Sequence, residues 1–485
     1  MHRSLVVVLG LQWAVCPAPA EADKPPLRDQ AVQALRQATE FFRTQVATEG
    51  GYLWRYSADL TRREGEGKAS ETTIWVQPPG TPSVGMAYLD AHEATRDRYY
   101  LEAAKEVAYA LVRGQLRSGG WDYRIEFDPK HRRHYAYRVD GGQAGPRNVT
   151  TLDDDTSQAA LRFLMRVDRA YDFQDERIHE AAGYALASLL KAQYPNGSWP
   201  QRFDSFPEPS KFPSKRASFP ATWPREFPET KYAAYYTLND CAVPDMIATM
   251  LEAWRIYGEG RYRSSAERAG DFLLLAQMPE PQPAWAQQYD TDMYPAWARR
   301  FEPPAITGGE SQVVMRTLLV LHRATGDRRY LEPLPRAIAY FRRSRLSSGQ
   351  LARFYELQTN KPLYFTRDYK LTYSDADMPT HYAFKVVDQI REIERDYEQL
   401  REMDLAGPVA APEKQRPKMA AELERRVHSV IAAMDDRGRW IERGRLRYQG
   451  DDDRTERIID CGTFADHMKI LSDFPGPAHI KLLSR

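Results

Sequence analysis

The sequence predicts an all-α protein, an α/α toroid of helical hairpins whose long loops gather at one end. Three observations point there. Apolar residues recur at spacings of three and four, as in Leu161, Leu164, Val167 and Tyr171 and again in Met246, Met250, Leu251 and Trp254. That is the period of a helix with one buried face. Six segments end in a turn that delivers an aromatic residue followed by polar ones: Gly50-Gly51-Tyr52, Gly119-Gly120-Trp121, Asn196-Gly197-Ser198-Trp199, Ala284-Trp285, Gly349 through Phe354-Tyr355, and Gly438-Arg439-Trp440. Between them, helices alternate with breaks such as Asp97-Arg98-Tyr99 and Asp327-Arg328-Arg329-Tyr330. A unit of roughly 65 to 90 residues of this kind cannot bury its own face and must stack on neighbours. A ring of inner and outer helices satisfies it, with the turns collected at one rim, where binding and catalysis are usually placed.

From the N-terminus, Met1-His2-Arg3, an apolar run from Leu5 to Cys16 and Ala18-Pro19-Ala20 read as a signal peptide over 1–20, cleaved near Ala20. A secreted or periplasmic protein is therefore expected. No other stretch approaches the ~18 apolar residues of a membrane span. Residues 21–404 are assigned to the toroid. Within them, 203–230 carry Pro207, Pro209, Pro213, Pro220, Pro224 and Pro228 and read as a long ordered loop or lid. Residues 405–418, with Gly407, Pro408, Pro412 and Pro417, read as an exposed linker. Residues 419–485 are expected to be a helical extension closing the ring, opening with an amphipathic helix around Met419 to Met434.

In 485 residues, 68 Lys and Arg balance 67 Asp and Glu, a net charge of +1 that gives no global attraction to nucleic acid or anionic membrane. The 28 Tyr, 18 Phe and 10 Trp suit a ring-stacking surface as well as a core. Cys241 and Cys461 follow the leader and permit one bridge without requiring it.

Two acidic clusters stand at predicted helix starts. Asp153-Asp154-Asp155 precedes one apolar-periodic helix, and Asn239-Asp240 precedes another. Either serves as a helix cap, but three consecutive carboxylates repel one another unless a cation compensates. Should both starts line one mouth, their oxygens suit Ca²⁺. Opposite in character are Trp297-Ala298-Arg299-Arg300-Phe301-Glu302, Arg353 and Arg367, guanidinium groups in turns that suit bidentate contacts to carboxylates.

At these motifs the chain resembles the family 10 polysaccharide lyases, the pectate lyases built on an α/α toroid. The resemblance runs collinearly over about residues 85–375, through Thr151-Leu152-Asp153, Ala192-Gln193-Tyr194-Pro195-Asn196-Gly197-Ser198-Trp199-Pro200-Gln201, Leu238-Asn239-Asp240, Ala284-Trp285 to Asp290, Pro295 to Glu302, Gly309-Glu310-Ser311 and Ala352-Arg353-Phe354-Tyr355-Glu356 to Asp368. It implies β-elimination on an acidic polysaccharide, with pectate or polygalacturonate the leading substrate. A monomer is expected, and the balanced charge and the lack of an apolar span predict that it binds no nucleic acid and enters no membrane. By the same resemblance Arg299 is the catalytic arginine that abstracts the C5 proton. Asp153, Asp154, Asn239 and Asp240 form a calcium site, and Arg353, Arg367, Trp199, Trp285, Asp290 and Glu302 contact substrate. Departures are visible: Asp153-Asp154-Asp155-Thr156-Ser157 stands where the family has a sequence like Asp-Asn-Gly-Ala-Thr, Cys241 follows Asp240, and Ala286 and Tyr289 replace the common Cys and His.

Guanidinium groups hold their proton to a pKa above ~12, so an arginine base needs neighbouring cations or alkaline conditions. Activity rising from neutral toward alkaline pH is expected. Two other readings fit parts of the sequence. Gln115 to Trp121 and Gln193 to Trp199 resemble the Gln-x-x-x-Gly-x-Trp repeat of triterpene cyclases, though a hydrocarbon gives arginines nothing to pair with. A secreted glycan-binding scaffold without elimination uses the same aromatics and arginines.

Overall fold

The computed structural model describes residues 25–141, 145–402 and 416–474. The expected leader at 1–20 and most of the expected linker at 405–418 lie outside them. The described helices are α1 (Leu27–Phe41), α2 (Thr81–Thr95), α3 (Arg98–Arg113), α4 (Pro129–Arg132), α5 (Thr156–Ala170), α6 (Glu176–Ala192), α7 (Ala242–Tyr257), α8 (Gly260–Ala276), α9 (Gly308–Thr325), α10 (Leu334–Ser344), α11 (Ile390–Glu402), α12 (Arg416–Ala433) and α13 (Cys461–Asp473).

The arrangement is an α/α toroid. Inner helices pack side by side in the order α13, α2, α5, α7, α9, and α1, α3, α6 and α8 back them from outside. Close approach has a local cause: a Cβ at Gly85 on α2 would lie 2.4 Å from the ring of Phe163 on α5, so only glycine admits that contact. The Asp-rich breaks are helix caps. Asp97 accepts the Tyr99 N–H to start α3, and Asp175 accepts the Ile178 N–H to start α6. At the other end, α13 packs on α1 and α2. The strand Arg457–Asp460 pairs with Arg55–Ser57, tying the C-terminal segment to the N-terminal hairpin.

The aromatic turns have a structural job. The indole N–H groups of Trp121, Trp199, Trp285 and Trp440 donate to the carbonyls of Leu111, Leu189, Leu273 and Val430, each in the outer helix just before its turn. Trp199 is 1% exposed and Trp285 0%. The substrate contacts expected of these two residues are thereby corrected, because rings this deeply packed offer no face to a sugar. The glutamines act alongside them. Gln115 Nε2 bridges the Gly119 and Ala181 carbonyls, Gln193 those of Gly197 and Ser265, and Gln277 those of Pro283 and Pro333. Each glutamine thus ties a turn to the next outer helix or its start, which accounts for the Gln-x-x-x-Gly-x-Trp pattern without a cyclase.

The sequence shows no strand periodicity, yet short strands lace the rim loops. Thr150–Thr151 pairs with Arg202–Phe203, Tyr236–Thr237 with Gln288–Tyr289, and Ala305–Thr307 with Phe354–Glu356. Runs of two or three residues are too short to display alternation. The 203–230 segment is irregular apart from its first strand and a single turn at Pro209–Lys211.

Candidate active site

Inner helices α2, α5, α7 and α9 all begin at the rim where the turns collect. Their first residues bring the chemistry together. Two of these starts share one backbone form. Before α5, Asp154 and Asp155 have φ of 50° and 58°; before α7, Asp240 and Cys241 have φ of 47° and 59°. Left-handed backbone at a non-glycine residue costs about 1–2 kcal/mol. Asn and Gly, the usual family residues at the first pair, adopt it more readily than the Asp-Asp pair present here. The repeated kink brings two arms to one point. Ligand oxygens of Asp153, Asp154 and Asp240 lie within 4.8 Å of one another.

The arms differ in their surroundings. Asp153 is 7% exposed and accepts hydrogen bonds from Tyr123 Oη (2.8 Å), Gln201 Nε2 (2.9 Å) and Arg202 Nη2 (3.0 Å). Asp154 accepts from Gln77 Nε2 at 3.0 Å, and the other amide atom of Gln77 accepts the Trp75 indole N–H. In the second arm, Asn239 Nδ2 donates to Asp240 Oδ2 at 2.5 Å, while the buried Asn239 Oδ1 has no hydrogen-bond partner among the described residues. Asp240 is 36% exposed.

Across from the acids stands Arg299. Its Nη2 lies 2.6 Å from Glu302 Oε1 and 3.7 Å from Asp240 Oδ2. Glu302 Oε2 also accepts the Arg299 backbone N–H at 3.0 Å. Tyr382 donates to Glu302 Oε1 at 3.0 Å and accepts from Arg353 Nη1 at 3.1 Å. Arg353 Nη1 in turn pairs with Glu310 at 3.1 Å. One polar chain therefore runs from Asp240 through Arg299, Glu302 and Tyr382 to Arg353 and the start of α9.

Burial first, and then the charges of Asp153 and Asp240, push the Asp154 carboxyl up to about 7. Asp240 is pushed up to about 6 by burial and Asp153, against the pull of Arg299. Like charges crowded in a half-buried place resist ionising, and a cation bound among them reverses that. For Arg299 burial favours the neutral form, but Glu302, Tyr382 and Asp240 outweigh it and raise its pKa above the usual arginine value. Of the two conditions an arginine base needs, neighbouring cations or alkaline solution, the first is not met here, because its closest partners are acidic groups.

The remaining expected site residues divide. Arg353 joins the cluster. Glu302 does too, but at 1% exposure and saturated by Arg299 and Tyr382 it holds the arginine and does not face a substrate. Asp290 accepts the N–H groups of Asp292 and Tyr294 and shapes its own turn. Arg367 is 72% exposed and pairs with Asp377, outside the cluster. Cys241 and Cys461 are both free thiols. Sequence reasoning missed Tyr123, Gln201 and Arg202 on Asp153, Gln77 on Asp154, and Tyr382. The signal for the first three was present, because each stands two or three residues after a buried tryptophan. Trp121 and Trp199 are the anchors, and the polar residues beyond them reach the site.

Residues 115–351 match the family model described as pectic acid lyase. This segment belongs to the pectic acid lyase family. The matched segment is that of a polysaccharide lyase of pectate-lyase type, and it holds Asp153, Asp154, Asp240, Arg299, Glu302 and Glu310. Among solved structures, the chain is similar to a family 10 polysaccharide lyase from Cellvibrio cellulosa, at 18% identity over 66% of this chain and 98% of that one, with a TM-score of 0.45. A mutant of the same enzyme, in complex with trigalacturonic acid, gives the same values. A cellobiose 2-epimerase from Bacillus thermoamylovorans is similar at 10% identity over 92% of this chain and 99% of its own, with a TM-score of 0.46. No curated protein matches the chain.

Proposed function

We propose that this lyase cleaves a uronate polymer, pectate or polygalacturonate, by Ca²⁺-assisted β-elimination with Arg299 as the base. The observation that carries the reading is the placement of Arg299 3.7 Å from Asp240, whose oxygens cluster with those of Asp153 and Asp154. The donor set fits a hard cation. Three carboxylates and the unpartnered, 4% exposed Asn239 Oδ1 are all oxygen ligands, and two of the carboxyls are held back from ionising when no cation is present. Ca²⁺ held there supplies charge neutralisation to the uronate carboxylate, making the adjacent C5–H more acidic.

The chain's own residues do the rest. Arg353, held by Glu310, Tyr382 and the Ala383 carbonyl, offers its Nη2 to a substrate carboxylate. Arg299, once neutral, accepts the C5 proton. The electron pair of that C–H bond forms the C4=C5 double bond, the C4–O4 bond breaks, and O4 leaves with a proton from solvent. Glu302 aims Arg299 and also holds it protonated, so the rate is expected to rise with pH from neutral into the alkaline range. We further propose that a leader over residues 1–20 exports the enzyme and that it acts as a monomer.

Purified protein with polygalacturonate and Ca²⁺ should give the ultraviolet absorbance of an unsaturated uronate end, stopped by a chelator and restored by Ca²⁺. Polymer binding with no absorbance at any pH would replace this reading with that of a glycan-binding scaffold.

A further inference from the structure

The loop that carries Arg299 presents a second arginine to a different place. Arg300 lines a cleft of about 720 Å³, whose walls also include Arg225 and Phe227 of the 203–230 segment, Trp297, and Lys370 and Tyr373 of a following hairpin. Arg225 forms an ion pair with Glu356. Arg300 and Lys370 have no acidic partner among the described residues, and the Arg300 guanidinium sits 4.0 Å from the ring centre of Tyr369. Glu226 is the acid of the lining, outnumbered by the three cations.

This cleft adjoins the reaction network through a shared aromatic wall. Phe301 stacks on Tyr369 at 5.7 Å and meets Tyr382 at 4.8 Å, and Tyr382 bonds both Glu302 and Arg353. The 203–230 segment is fastened over the cleft. The Trp297 indole donates to the Pro224 carbonyl at 2.9 Å, Lys215 pairs with Asp292 at 2.5 Å, and Glu356, which holds Arg225, also accepts Tyr373 Oη at 2.7 Å. Tyr373 remains 53% exposed.

We infer that this cleft is an additional subsite for an anionic sugar, taking a uronate residue further along the polymer than a trimer engaged at Arg299 fully reaches. The inference rests on the function proposed above. Unpaired guanidinium and ammonium groups match a carboxylate, and the exposed Tyr373 ring matches the apolar face of a sugar. A neutral glycan satisfies the ring and leaves the cations unmatched. The 203–230 segment thus extends the groove and favours longer substrates.

Calorimetry with hexagalacturonate and trigalacturonate, in Ca²⁺ and an Arg299→Ala background that prevents cleavage, tests it. Arg300→Ala with Lys370→Ala should weaken the hexamer about tenfold or more, weaken the trimer less, and leave Tm unchanged because both side chains are exposed. The charge-keeping pair Arg300→Lys with Lys370→Arg should restore most of the binding. Unchanged hexamer affinity, or equal loss at both lengths, overturns the subsite while leaving the role of Arg299 standing. A chain with native Arg299 that neither binds nor cleaves either oligomer sinks the functional reading and the subsite with it.

Discussion

The starts of α5 and α7 have one backbone and two chemistries. Leu152-Asp153-Asp154-Asp155 and Leu238-Asn239-Asp240-Cys241 make the same left-handed kink and bring Asp153, Asp154 and Asp240 within 4.8 Å of one another. The first arm is braced: Asp153 has three donors and Asp154 has Gln77. The second is open: Asn239 Oδ1 has no hydrogen-bond partner among the described residues and Asp240 faces Arg299. A repeat architecture copies geometry, and each copy then varies its side chains. Here one copy became a fixed acidic platform and the other a face toward Arg299.

The sharpest way to break this comparison is to neutralise one arm at a time. Asp154→Asn and Asp240→Asn should each lower elimination about a thousandfold by removing a cation ligand. The double variant should be little worse than either, since the arms act as one site. Without Ca²⁺ at pH 8, both variants should melt higher than wild type, because each removes a charge that burial and its neighbours disfavour. Additive losses from the two substitutions would mean the arms work separately.

A second contrast separates anchors from the residues they deliver. Trp199→Ala should cost about 3 kcal/mol or more of stability from lost core packing, read from denaturant midpoints. Gln201→Ala, two residues on, should leave stability nearly unchanged and reduce Ca²⁺ affinity about tenfold, as loss of a group that orients a ligand does. Gln77→Ala should resemble Gln201→Ala. A stable Trp199→Ala protein with weakened substrate binding would restore the stacking role withdrawn above.

The smallest expected effect is in pH dependence. Asp154 at about 7 and Asp240 at about 6 take up protons more readily folded than unfolded. Their charged forms therefore destabilise the fold progressively as pH rises from about 4 to 7. Ca²⁺ offsets that cost, so the Ca²⁺-induced gain in Tm should be a few degrees larger at pH 8 than at pH 5.5. Asp90 on α2, pushed up to about 6 by burial, titrates in the same window and contributes with or without the ion. Equal gains at both pH values would contradict the assignment of Asp154 and Asp240 as ligands.

The helical ring was legible because apolar periodicity and the repeated turns each read directly as packing. The first acidic arm was legible as a run of three carboxylates that helix capping alone does not explain, and Arg299 through the resemblance of its segment to a known family. The tryptophans misled for a physical reason: a large ring beside glycine and polar residues looks exposed, whereas its N–H is spent inside, on the last turn of an outer helix. Tyr123, Gln201 and Arg202 carried a signal in their place just after a buried tryptophan, but which acid they reach depends on strand pairings of two or three residues, too short to leave a period. The partnership of Arg299 with Glu302 was not legible, because both stand in an irregular loop whose turn the sequence does not specify.

The most direct test of the account is the rate of unsaturated-uronate formation from polygalacturonate at saturating Ca²⁺, compared between wild type and Arg299→Ala from pH 6 to 10. The account predicts wild-type absorbance growth that continues to climb above pH 8, beyond the range in which Asp154 and Asp240 titrate, and none from Arg299→Ala. Undiminished product from Arg299→Ala, or a wild-type rate that falls as the solution is made alkaline, would contradict it.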